Sequence, residues 1–298
     1  MSTVETPKRA RPNFRRGVYV IPTSLTILNL FFGFRTIVYA TRAIEAITLG
    51  RHEAAIDFFQ TACLSLLFAA VFDTFDGMIA RQLNATSEFG KEYDSLADVV
   101  TFGAAPALLT YLWGLRPFDR DAWLIPLFYM VCAATRLARF NVQTKVVDSR
   151  YFVGLPVPAA AGTICSILFF APDSQLRDRD LPVWMQGRID TLALQVWMQV
   201  LVAMALLLIG VLMVSTFRYY SFKKFDLRKR WSFRALIPIA AIILVVYYIP
   251  YAFFLALAVT YTLSGPLSWL IGRVRGGRPE APETPEDTAP PPVPEPGA

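Results

Sequence analysis

Histidine is almost missing from this 298-residue chain: His52 is the only one. A histidine-rich metal site is therefore excluded, and histidine catalysis would rest on this one residue. Cysteine is scarce as well. Cys63, Cys132 and Cys165 stand far apart, inside apolar blocks and at no metal-ligand spacing, so they read as small buried apolar side chains. Charge is in short supply too, at 17% of residues, where a soluble domain carries about 25%. That shortage excludes an ordinary soluble domain and a disordered chain, and the missing alternation of polar and apolar residues excludes a β-rich secreted domain.

What the chain has instead is 55% hydrophobic residues, 23 of them phenylalanine, and a mean hydropathy of +0.43. These residues come in long blocks. A bilayer core of about 30 Å needs roughly 20 apolar residues per helix, and the sequence predicts eight such helices, at 18–41, 56–81, 91–114, 121–140, 152–171, 192–216, 233–249 and 251–272. The last two flank the corner Ile249-Pro250-Tyr251 and could form a hairpin or one broken helix. The expected fold is an all-α polytopic membrane bundle. The first block is too long, and lacks the small-residue cleavage site, for a removed signal peptide. The chain divides into a basic N-terminal tail (1–17), a core (18–216), a basic loop with a C-terminal helix pair (217–272) and a tail (273–298).

Lysine and arginine set the orientation. With the N-terminus inside, only Arg35, Arg42, Arg51, Arg116, Arg120, Arg177, Arg179 and Arg188 fall on the outer side, out of 29 basic residues. Both termini are thus expected in the cytoplasm, with the chain in the cytoplasmic (inner) membrane. The net charge of +6 belongs to this asymmetry rather than to nucleic acid. The basic, aromatic-rich stretch from Phe217 to Arg234 is expected to rest on anionic membrane lipids, at about 1 kcal/mol per basic residue near the surface. Residues 279–298 hold eight prolines and five acids and have nothing from which to build a core.

The informative stretch is 71–106, VFDTFDGMIARQLNATSEFGKEYDSLADVVTFGAAP. Asp73 and Asp76 are three apart and Asp94 and Asp98 four apart, so each pair shares a helix face. A short loop between the two helices brings both pairs to one cytoplasmic end. Four ionised carboxylates at a membrane boundary repel one another and resist desolvation. A hard divalent cation, Mg²⁺ or Mn²⁺, removes that conflict and shares a site with phosphate. There is room for two ions, with Asp94 as a bridge, which could hold a pyrophosphate. Gly77 and Gly90 leave open space beside the acids, Ala80 keeps the face of Asp76 flat, and Arg81 suits a phosphate oxygen.

The run Asp73-x₂-Asp76-Gly77-x₂-Ala80-Arg81-x₈-Gly90-x₃-Asp94-x₃-Asp98 matches the signature of the CDP-alcohol phosphatidyltransferases without a departure. The resemblance implies a six-helix family core followed here by two C-terminal helices. It implies that Asp73, Asp76 and Asp94 ligate the metals, and that Asp98 completes the metal site and serves as general base on the acceptor hydroxyl. Gly77, Ala80, Arg81 and Gly90 would shape the site for the cytidine diphosphate part of the donor. It also implies a homodimer.

Three further stretches, 86–107, 135–144 and 151–162, resemble the bacterial integral-membrane phosphatidylserine synthases. That resemblance implies CDP-diacylglycerol and L-serine as substrates. The first helix is similar to theirs as well, although Thr23 stands where they usually carry asparagine, which leaves Thr26 and Asn29 as residues near the nucleotide. Arg136 and Arg139, one turn apart, together with Asn141 would receive the serine carboxylate or a phosphate on another acceptor, and Lys91 lies in the loop above. Gly154-Leu155-Pro156 reads as a structural entry into the fifth helix. Two alternatives stay open: the same family with glycerol 3-phosphate or an inositol phosphate as acceptor, and, more remotely, a cation transporter.

Overall fold

A backbone in lipid has to satisfy its own hydrogen bonds, which forces apolar blocks of this length into helices. A computed structural model describes residues 20–83, 87–116, 118, 120–143, 151–170, 191–220, 244, 248 and 250–274. Its helical elements are α1 (Val20–Thr48), α2 (His52–Gln82), α3 (Glu88–Leu115), α4 (Leu124–Gln143), α5 (Val157–Phe170), α6 (Thr191–Val214) and α7 (Pro250–Val274). Two short strands accompany them, β1 (Tyr151–Val153) and β2 (Arg218–Tyr220). The protein is a polytopic helical membrane protein. Helices α1, α2, α3, α6 and α7 are each long and apolar enough to cross a bilayer, and α5 is a shorter apolar helix. The expected helix at 233–249 lies outside the described residues, except for Leu244 and Tyr248, which are helical.

Helix α1 runs seven residues past its expected end at 41, to Thr48. Hydropathy reports bilayer thickness, whereas the helix continues as long as its inner face is covered. Ala43 and Ala46 supply that cover by packing into the core. Helix α1 then turns into α2 through Leu49 and Gly50. Gly50 has φ 73°, and Gly50 N and Arg51 N donate to Ile47 O (3.0 Å) and Ala46 O (2.8 Å). This is a Schellman stop, which places glycine where a side chain would be strained. The α1–α2 pair makes the most extensive helix contact among the described residues.

Ser87 caps α3, its hydroxyl accepting from Gly90 N at 2.9 Å. The helix is α-helical through Asp98, π-helical at Val99–Ala104, α-helical again at Ala105–Thr110 and π-helical at Tyr111–Leu115. A π segment re-aims the residues on either side of it and is frequent at functional sites; here the first begins directly after Asp98. Opposite it, a Cβ on Gly33 of α1 would collide with Thr101, so α1 and α3 touch backbone to backbone at that level.

The all-α expectation misses one element. Strands β1 and β2 pair antiparallel, with Tyr151 opposite Tyr220 and Val153 opposite Arg218. They leave α4 and α6 at the same end of the bundle, and pairing satisfies backbone groups that no helix covers. Gly154 closes this corner at φ 78°, where a Cβ would collide with Met213 O. Gly154 N donates to Phe217 O (2.8 Å) and Leu155 N to Leu212 O (3.1 Å).

Candidate active site at the ends of four helices

The hairpin of α2 and α3 brings the two acid pairs together as the spacing predicts. Carboxylate oxygens of Asp73, Asp76 and Asp94 all lie within 4.8 Å of one another. Asp76 is buried, and Asp94 Oδ1 is buried with no hydrogen-bond partner among the described residues. Asp98, also buried, stands beside this trio and within its electrostatic reach, but outside the group of three. An all-oxygen set of carboxylates, one oxygen of it unpartnered, fits a hard divalent cation.

Helix α1 contributes two side chains that bond to the acids. Thr26 Oγ1 donates to Asp76 Oδ2 (3.1 Å), with Pro22 O (3.2 Å) as its alternative acceptor. Asn29 Nδ2 donates to Asp98 Oδ1 (3.2 Å). Both residues are buried, and their hydrogen bonds orient the two carboxylates. Asn29 Oδ1 has no partner among the described residues, while Asn29 O accepts from Thr101 Oγ1 at 3.4 Å.

The two arginines of α4 part company. Arg136 is 6% exposed, its Nε lacks a partner among the described residues, and its guanidinium lies 5.9 Å from the Phe140 ring centre. Arg139 instead donates to three backbone carbonyls: Nη1 to Val214 O (3.0 Å), Nη2 to Val153 O and Ser215 O (3.2 Å each). Two of these bonds satisfy carbonyls at the end of α6, which a helix terminus leaves without partners, and the third reaches β1. Asn141 Nδ2 donates to Ser95 Oγ at 2.8 Å, joining α4 to the segment between Asp94 and Asp98.

The remaining predicted residues fall around this core. Gly77 and Ala80 are half-buried on the last turns of α2, and Gly90 is half-buried in the first turn of α3. Arg81 is in the final turn of α2, and its side chain lies outside the described set. Lys91 forms an exposed 3.3 Å ion pair with Glu88, three residues back, and is not brought to the acids. Ser95, Phe140, Tyr219 and Tyr261 escape sequence reasoning altogether. Ser95 has no signal beyond its place between two aspartates, and the tyrosines lie on elements read only by hydropathy. Tyr219 is fully buried, and burial followed by the nearby Tyr261 phenol pushes its own phenol up to about 12. It therefore stays protonated and donates to Thr262 O at 3.0 Å.

A family model for CDP-alcohol phosphatidyltransferases matches residues 19–187. A CDP-diacylglycerol–serine O-phosphatidyltransferase of Helicobacter pylori is 31% identical over 258 residues, which is 87% of this chain and 94% of that protein. The enzyme of the same name from Bacillus subtilis is 35% identical over 150 residues (50% of this chain, 75% of that one). The one from Saccharomyces cerevisiae is 36% identical over 153 residues (49% and 52%).

Proposed function

Because the chain belongs to the CDP-alcohol phosphatidyltransferase family, we propose that it transfers the phosphatidyl group of CDP-diacylglycerol to the hydroxyl of L-serine, giving phosphatidylserine and CMP. The observation that carries this reading is the meeting of three carboxylates with a separate, hydrogen-bonded fourth at one end of the α2–α3 hairpin. The name shared by the relatives supports serine as acceptor.

Asp73, Asp76 and Asp94 would hold a divalent cation, Mg²⁺ or Mn²⁺, with space for a second. When bound, such ions supply charge neutralisation for the donor's pyrophosphate. Thr26 fixes the Asp76 carboxylate in place. Gly77, Ala80 and Gly90 leave room for the cytidine diphosphate, and Arg81 is assigned to its phosphate. The diacylglycerol chains stay in lipid.

Asp98 accepts the proton of the serine hydroxyl. Asn29 holds one of its oxygens, leaving the other for the substrate. The serine oxygen then bonds to the β-phosphorus as that phosphorus parts from the bridging oxygen, which leaves with CMP. A general base of this kind contributes about 10²–10⁴-fold. Arg136, buried and with an unpartnered Nε, receives the serine carboxylate, and Asn141 braces α4 against Ser95 beside it. Arg139 holds the frame through its carbonyl contacts.

In this reading the site faces the cytoplasm of the inner membrane, with both termini on that side, and the enzyme works as a homodimer. The deciding experiment incubates purified protein with CDP-diacylglycerol, Mg²⁺ or Mn²⁺, and labelled serine, glycerol 3-phosphate or inositol phosphate. CMP release with serine is expected; release with glycerol 3-phosphate alone would overturn the acceptor assignment.

A further inference from the structure

Helix α3 changes pitch directly after Asp98. Val99 N donates to Ser95 O, four residues back, whereas Ala105 N donates to Val100 O, five residues back. The sequence contains the cause in Pro106, which stands at the start of the next α-helical stretch, Ala105–Thr110. Inside a helix, proline has no N–H for the carbonyl four residues before it, and its ring presses on that carbonyl. The carbonyl in question belongs to Phe102. A wider π turn relieves the pressure, and it falls at Val99–Ala104, between Asp98 and the proline.

Phe102 O receives a donor from another helix. The Tyr129 phenol of α4 donates to it at 2.9 Å. Tyr129 and Phe102 are fully buried, and Pro106 is buried with them, so no water competes for that bond. On the α1 side, Thr101 Oγ1 donates to Asn29 O at 3.4 Å, and Gly33 leaves the room that Thr101 needs. Asn29 in turn donates through Nδ2 to Asp98 Oδ1 at 3.2 Å. The π turn is thus held by α4 through Phe102 and by α1 through Thr101. The residue that receives Thr101 is the same one that orients Asp98.

We propose that Tyr129 is a positioning residue for Asp98: by bonding the carbonyl that Pro106 cannot serve, its phenol holds the π turn in the register that keeps Asp98 on Asn29 and apart from the other three acids. The inference rests on Asp98 as the base in the serine reading above, since Tyr129 acts through it. It makes Pro106 and Tyr129, on two different helices, one device.

The test compares full-length wild type, Tyr129→Phe, Asp98→Asn, the double variant and Pro106→Ala in detergent with CDP-diacylglycerol, serine and Mg²⁺. Removing the hydroxyl leaves Phe102 O short of a donor, and a base displaced by as little as about 1 Å loses much of its effect. Tyr129→Phe is therefore expected to lower kcat about ten-fold, with the donor and serine KM values within about two-fold. In the Asp98→Asn background the same substitution should change the residual turnover by less than about two-fold, because the group it positions is already gone. Pro106→Ala returns the missing N–H and lets the α-helix run on, so kcat should fall while the thermal midpoint holds or rises. An unchanged kcat in Tyr129→Phe overturns the proposal. So does an equal loss with and without Asp98, which marks a general structural role. Should Tyr129→Phe fail to fold, Pro106→Ala decides, and a normal kcat there overturns the proposal. The acceptor reading fails separately, if wild type releases CMP with another acceptor and not with serine; kcat is then read with that acceptor. Near-normal turnover in Asp98→Asn alone removes the base, and the proposal with it.

Discussion

The acid edge of α2 and α3 and the arginine side built from α4, the ribbon and the end of α6 answer to different kinds of information. Spacings of three and four put each pair of aspartates on one face, and a short loop does the rest. Arg136 and Arg139 have the same residue type, helix and face, and still serve different ends. One is buried with an unpartnered nitrogen, while the other closes off α6. Local spacing decides which groups meet when both helices belong to one hairpin. It does not decide what a long side chain finds when its neighbours come from residues 153, 214 and 215.

The largest effects should fall on the acid edge. Changing Asp73, Asp76 or Asp94 singly to Asn is expected to cut CMP release by about 10³-fold, comparable to the loss of a main electrostatic stabiliser. Chelation should abolish activity, and added Mg²⁺ or Mn²⁺ should restore it. Asp98→Asn should keep CDP-diacylglycerol binding, measured by equilibrium dialysis, while turnover drops about 10²–10⁴-fold. Near-normal turnover would remove Asp98 as the base and blur the distinction between trio and fourth acid.

The arginine side should split. Arg136→Ala is expected to raise the serine KM by at least about ten-fold, as for a lost charge-assisted pair, with little change for the donor. Arg139→Ala should leave the serine KM of the folded enzyme near wild type and instead cost about 2 kcal/mol of stability, because it strips donors from three carbonyls. Thermal unfolding with kinetics on the same samples separates these outcomes; equal KM effects would erase the contrast. Gly154→Ala should destabilise by at least about 1 kcal/mol, since it combines a positive φ with a collision against Met213 O. The smallest change is expected at Lys91→Ala, within about 0.5 kcal/mol and two-fold in rate, as for an exposed ion pair.

Several features of the site carried no trace in the sequence. The sequence marks Thr26 and Asn29 as residues near the donor, but does not show that they bond to Asp76 and Asp98. The register between α1 and α3, set where Gly33 meets Thr101, decides what a polar group on α1 faces. Lys91 looked like a cation over the site, yet Glu88 three residues earlier claims it. The ribbon went unseen because two strands of three residues carry no periodicity to read.

Membrane class, helix positions and the cluster of four aspartates follow from the sequence alone. Each rests on short-range periodicity and on the exclusion of unpaired backbone from lipid. Only the tertiary structure decides that Asp98 stands apart from the trio, and that Arg139 closes α6 while Arg136 keeps a buried unpartnered nitrogen. Those facts depend on contacts between residues as many as 76 positions apart in the chain, and no local pattern encodes the geometry of such contacts.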